Sequence, residues 1–154
     1  MKNSKGISMI TLIVTIVVML ILASIVFIAG DDSMETADRA KIGNEKKSLQ
    51  EAMQSRFAGY MRNSDTYPLE GATVDSDVDV IVEYLKDIGR EYAGANDVKS
   101  EINAFLTKNT GYEEYNRIIN YSDMMALEMT NISYTADYSY IVNYYSLDVV
   151  GPIY

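Results

Sequence analysis

From Gly6 to Gly30 the chain carries no charge and no proline, and apolar residues dominate every turn of any helix it forms. At ~1.5 Å rise per residue, about 20 helical residues cross the ~30 Å hydrocarbon layer, so this pattern predicts a membrane-spanning helix over residues 7–30. Lys2 and Lys5 precede the run, and Asp31, Asp32, Glu35 and Asp38 follow it. Positive charge stays on the cytoplasmic side, which predicts a single pass through the inner (cytoplasmic) membrane with the C-terminal part extracellular. A permanent signal anchor has the same length and charge asymmetry. A cleaved secretory signal ending at Ile28-Ala29-Gly30 shares the basic start, although its apolar region usually runs only ~7–15 residues.

Past Gly30 the pattern becomes amphipathic. Asp32-Ser33-Met34-Glu35 reads as a helix start, with a kink or hinge expected at Gly30-Asp31-Asp32. Ile42, Leu49, Met53, Phe57 and Tyr60 then form an apolar stripe, while Lys41, Glu45, Lys46, Lys47, Glu51 and Arg56 make a wet face. The predicted amphipathic helix covers 33–62. Residues 63–79, with Asn63-Ser64-Asp65, Tyr67-Pro68 and Gly71, read as turn and loop. A helix over 79–92 turns Val78, Ile81, Leu85 and Ile88 inward. A second, capped by Asp97, presents Val98, Ile102, Phe105 and Leu106.

The last third alternates differently. Nine of its 43 residues are tyrosine, and β-favouring residues cluster in 115–119, 139–145 and 147–153, with a short helix capped by Ser122 between the first two. Residues 138–144 and the segment from Leu147 onward read as antiparallel strands, although no Asn-Gly or Asp-Gly marks their turn. The predicted fold class is α+β: a long N-terminal helix packed on a small head with short helices and a C-terminal antiparallel sheet. The tyrosines are expected to fill the alternating faces of a half-exposed sheet.

Composition narrows the function classes. All 22 acids and 11 of the 13 basic residues follow Gly30, so that part carries a net charge of −11 and offers no positive field for nucleic acid. With no histidine and no cysteine, imidazole bases, thiol nucleophiles, disulfides and the usual zinc sites are unavailable. No glycine-rich phosphate loop is present. Asp75-Ser76-Asp77-Val78-Asp79 has the alternation of a calcium loop, but Val80 and Lys86 stand where glycine and glutamate would be needed. The reading is a solvated acidic loop capping the next helix, with no metal, no cofactor and no enzymatic activity.

One further pattern carries a family resemblance. Lys5-Gly6-Ile7-Ser8-Met9-Ile10-Thr11-Leu12 resembles the leader and first mature residues of a type IV prepilin or pseudopilin. The resemblance is specific over residues 2–30 and looser to about residue 62. It implies a leader 1–6 cut after Gly6 by prepilin peptidase, with Ile7 becoming the methylated first residue. It also implies a transmembrane and filament-core helix over 7–30 and an extracellular pilin-like head over 31–154. The family's usual glutamate at the fifth mature position is replaced by Thr11, as in similar Firmicute pseudopilin-like proteins. The implied function is a structural subunit, minor or tip, of a type IV pilus, competence pilus or type II secretion-like pseudopilus at the cell surface. Its implied partners are the peptidase, other pilin-like subunits, an assembly platform and the membrane. The alternative is a solitary membrane-anchored extracellular binding module.

Overall fold

A computed structural model describes residues 4–130, 132 and 137–154, with the side chains of 4–11 and 20–37 outside the description. The chain divides into two compact units, residues 1–41 and residues 42–154. Helix α1 runs Ser4–Tyr60 and contributes to both.

In the first unit, Gly30-Asp31-Asp32 is helical rather than a break, and no new helix starts at Ser33. A single helical glycine costs only about 1 kcal/mol relative to alanine, and acids are tolerated within a helix, so these residues need not stop it. Among the described residues no helix is long and apolar enough to cross a membrane. This overturns the membrane-spanning part of the expected fold, the transmembrane helix over 7–30, and the single-pass inner-membrane placement with an extracellular head.

The second unit is an α+β head around a four-stranded antiparallel sheet. Its elements are the end of α1, β1 (Ala72–Thr73), α2 (Val78–Asp87), α3 (Asn96–Lys108), β2 (Asn116–Ile119), α4 (Tyr121–Ala126), β3 (Ser139–Asn143) and β4 (Val149–Ile153). Strand order is β1-β2-β3-β4. In β2–β3, Ile118 faces Ile141 and Ile119 faces Tyr140; in β3–β4, Ile141 faces Val150 and Ser139 faces Ile153. The shift in the second ladder falls beside Gly151, whose φ of +115° a side chain would strain.

Alternation along β3 sends neighbouring side chains to opposite faces, and both faces are covered. Tyr138, Tyr140, Val142 and Tyr144 pack with Leu49 and Met53 of α1 and with Met124 and Leu127 at α4. Ile141 packs with Ile81 and Leu85 of α2 and with Ile102 and Phe105 of α3. Every residue of β3 is buried, so the expected half-exposed sheet is instead sandwiched between helices. Leu49 and Met53 are fully buried, and such burial contributes about 1.5–3 kcal/mol per side chain.

Local signals place the ends. The first helix ends at Tyr60, and just beyond it the Asn63 side-chain oxygen accepts the N–H groups of Asp65 and Thr66 and so starts a turn. Asp77 caps α2 by accepting from the Asp79 N–H at 2.8 Å, the capping role read for the acidic loop. Three caps differ from expectation. Helix α2 ends at Asp87, because Gly89 takes φ +89° one residue past its cap. Helix α3 starts at Asn96 with Ala95 at the cap position, so Asp97 lies inside the first turn. Helix α4 is capped by Asn120, which shares a reciprocal capping box with Asp123, while Ser122 donates to the Asn120 side chain.

Candidate functional site

The residues that the sequence singles out lie at the start of α1. Gly6, Ile7 and Thr11 have helical backbone, and their side chains fall outside the described ones. Leu12, Ile13, Val14, Ile16, Val17, Val18 and Met19 are all large, apolar and exposed, from 47% for Val18 to 67% for Met19.

Successive helical residues are 100° apart, so eight consecutive positions point in every direction around the axis. The result is a belt that is apolar all round except at Thr15, its one polar side chain. An amphipathic surface helix keeps one wet face, whereas a helix apolar all round belongs in the interior of something larger. Contiguous exposed apolar surface of this kind marks a place where another molecule packs. β-branched Ile and Val dominate the belt; they are stiff at χ1, so burying them against a neighbour costs little side-chain entropy.

Further along the same helix the chemistry is reversed. Glu45 is 3% exposed and carries two tyrosines on its carboxylate. The Tyr138 hydroxyl donates to both oxygens, at 2.6 and 2.8 Å, and the Tyr140 hydroxyl donates at 2.9 Å. Burial, with the Glu45 contact behind it, pushes both phenols above their ordinary range, so they stay protonated donors. Tyr144 is likewise raised by burial, and its hydroxyl donates to the Glu70 carbonyl at 3.2 Å. The Glu45 cluster pins α1 to β3 through charge-assisted hydrogen bonds, a structural anchor with neither a nucleophile nor a second base.

Sequence reasoning put Glu45 on the wet face. The signal was the seven-residue gap in the stripe between Ile42 and Leu49, since a helical stripe steps by three or four and Glu45 is the missing step.

The remaining chemistry is spent locally. Asp75 and Asp77 accept backbone N–H groups, and Asp79 is paired with Lys99 at 2.9 Å. Among the described residues no group of three acids could hold a metal ion. A hollow of about 360 Å³ between the end of α1 and the segment just after α4 has Arg56, Arg62 and Glu128 in its lining. Arg56 already donates to the Ala126 carbonyl and pairs with Glu70 at 3.4 Å, so the hollow presents no net positive charge to an anion.

The chain matches no family model, no curated protein and no solved structure.

Proposed function

We propose that this chain is a pilin-like structural subunit whose N-terminal helix packs in a bundle with the corresponding helices of other pilin-like subunits. The single observation that carries the reading is the belt at Leu12 to Met19, exposed throughout and apolar at every position but Thr15. A neighbour on one side would cover only part of it, whereas a helical bundle covers it all round. The head supplies its own filled core, so the belt is not needed to fold it.

Two sequence features support the same reading. The junction Lys5-Gly6-Ile7-Ser8 resembles a prepilin cleavage site, and removing residues 1–6 takes Lys2 and Lys5 away from the apolar helix. Thr11 occupies the position where the resembled family places a glutamate against a neighbour's N-terminal amine. A hydroxyl offers that amine a hydrogen bond but no charge, and an uncompensated buried amine costs several kcal/mol. That favours a minor or tip role over a repeating one.

The cysteine-free sequence makes the test direct. A benzophenone maleimide attached to Val17→Cys should crosslink to another pilin-like subunit in the cells that make the chain, and the same label on Asp87→Cys should not. N-terminal mass spectrometry should then find Ile7 first and methylated. Equal crosslinking from both positions, or a mature chain that keeps Lys5, would sink the proposal.

A further inference from the structure

Away from the belt, aromatic rings gather on the head where the end of α1, the loop before β2 and the β3–β4 turn come together. Tyr112 and Tyr145 stack with centroids 4.1 Å apart and planes 9° from parallel. Tyr115 lies 5.9 Å from Tyr145 at 21°, and Phe57 meets Tyr115 and Tyr145 edge-on at 5.3 and 6.2 Å.

The pair is held rigidly. Asn143 is fully buried, and its side-chain nitrogen donates to the Tyr112 carbonyl at 2.9 Å and to the Asn116 side chain at 2.7 Å. Its oxygen accepts the N–H groups of Tyr145 and Ser146 at 2.9 and 2.8 Å. One asparagine therefore fastens both loops, which fixes the stack before any ligand arrives. Even so, Tyr112 and Tyr145 remain 41% and 52% exposed. A pre-ordered, half-wet aromatic pair is the kind of surface that recurs as an anchor in protein interfaces.

The surrounding charge selects the partner. Glu113 and Glu114 lie between Tyr112 and Tyr115 in sequence, and both are exposed. The backbone N–H of Gly111, 2.8 Å from the Glu113 carboxylate, holds that group below its ordinary range and keeps it ionised. Arg117, the nearby cation, is tied to the carbonyls of Glu114 and Asn116. The whole chain carries −9.

We propose that Tyr112, Tyr145, Glu113 and Glu114 form a docking surface for an arginine-bearing segment of a partner protein. A guanidinium is planar and weakly hydrated, so it stacks on a phenol face while its N–H fork engages a carboxylate. A lysine ammonium uses the carboxylates but gains less from the ring, and a neutral sugar uses the rings but leaves the charge unanswered. This surface belongs to the head and is independent of how the belt is used.

The test is calorimetric titration of the full chain with acetyl-tetra-arginine amide, acetyl-tetra-lysine amide and chitotetraose at about 0.15 M salt. The arginine peptide should bind roughly fivefold tighter than the lysine peptide, which is the cation–π increment at an exposed site. Tyr112→Leu and the pair Glu113→Gln with Glu114→Gln should each weaken it by roughly three- to tenfold with the thermal melt unchanged. Three results would overturn the assignment: equal affinity for the two peptides, indifference to Tyr112→Leu, or chitotetraose binding in preference to arginine.

Discussion

Two stretches of one helix are both rich in large apolar side chains, and the fold treats them oppositely. Leu12 to Met19 are exposed on every side, whereas Leu49 and Met53 are fully buried and Phe57 is half-buried against the head. The difference lies in spacing. From Leu49 onward the apolar residues come every three or four positions, which matches one partner surface, the sheet face carrying Tyr140, Val142 and Tyr144. In the belt they are consecutive but for Thr15, which matches a partner on every side. The spacing of apolar positions therefore reports how many surfaces a helix is built to meet.

The strongest way to break this comparison is to truncate one residue from each stretch. Leu49→Ala should lower the unfolding free energy of the head by about 2–5 kcal/mol, through lost burial and the cavity left behind. Val17→Ala should change it by no more than about 0.5 kcal/mol, as an exposed position does, while weakening association. Denaturant melts of the two variants, followed on the tyrosines of the head, decide it. Equal losses would mean that the belt helps to hold the head together.

The next largest effect tests the anchor between the two stretches. Glu45→Leu removes the acceptor of two buried phenols, and each orphaned hydroxyl costs about 1–3 kcal/mol. Glu45→Gln keeps one acceptor oxygen and should cost less. A Glu45→Leu head as stable as the original would show that desolvating the carboxylate had cancelled its hydrogen bonds, and that apolar spacing alone positions α1.

These contrasts also explain which parts of the molecule could be read in advance. The stripe from Leu49 to Phe57, the inward residues Ile81, Leu85, Ile102 and Phe105, and the pairing of residues 139–143 with 149–153 follow from periods of 3.6 and 2. Other features had no local signature. Strand β1 is two residues long, and its place depends on Gly71, with φ +95°, lying where a Cβ would meet the Ile118 carbonyl at 2.5 Å. The β3–β4 turn lacks a glycine signal because the Asn143 side chain does that work, with Leu147 at φ +60°. The buried Glu45 was hidden because a charged residue on a helical stripe reads as a gap. Of the site, the belt was legible as an apolar run, but its exposure was not. The aromatic stack was legible only as a rise in tyrosine, since its rings come from separate segments at 57, 112, 115 and 145.

Alkaline titration sharpens the comparison, because Leu12 to Met19 contain no titratable side chain while the head buries several phenols. Burial raises Tyr138, Tyr140 and Tyr144 in the folded state. A raised phenol contributes stability that is fully present below its unfolded value, about 10, and is lost as pH rises toward the folded value. The head should therefore weaken steadily above about pH 10, and Tyr140→Phe should flatten that slope. Association through the belt should be indifferent to pH until the head unfolds. A slope unchanged by Tyr140→Phe would show that the buried phenol is not what makes the head sensitive to alkali.

The smallest effect is expected at the acid end, from Asp148. Burial alone would raise its carboxyl, but hydrogen bonds from Lys108, Ser146 and Asn109, together with the Lys108 charge, outweigh that and hold it below its ordinary value of 3.8. A depressed carboxyl contributes stability that is complete above its unfolded value and disappears as pH falls through its folded one. The contribution should therefore be intact at pH 6 and fade below about pH 4. Lys108 is 69% exposed, so solvent screens the pair and Lys108→Ala should cost no more than about 1 kcal/mol. Asp148→Asn should cost somewhat more, since it also strips an acceptor from the β3–β4 turn that presents Tyr145, and its melt should lose its acid dependence between pH 5 and 3. If Asp148→Asn melts with the acid profile of the original chain, the acid sensitivity of the head comes from other carboxylates.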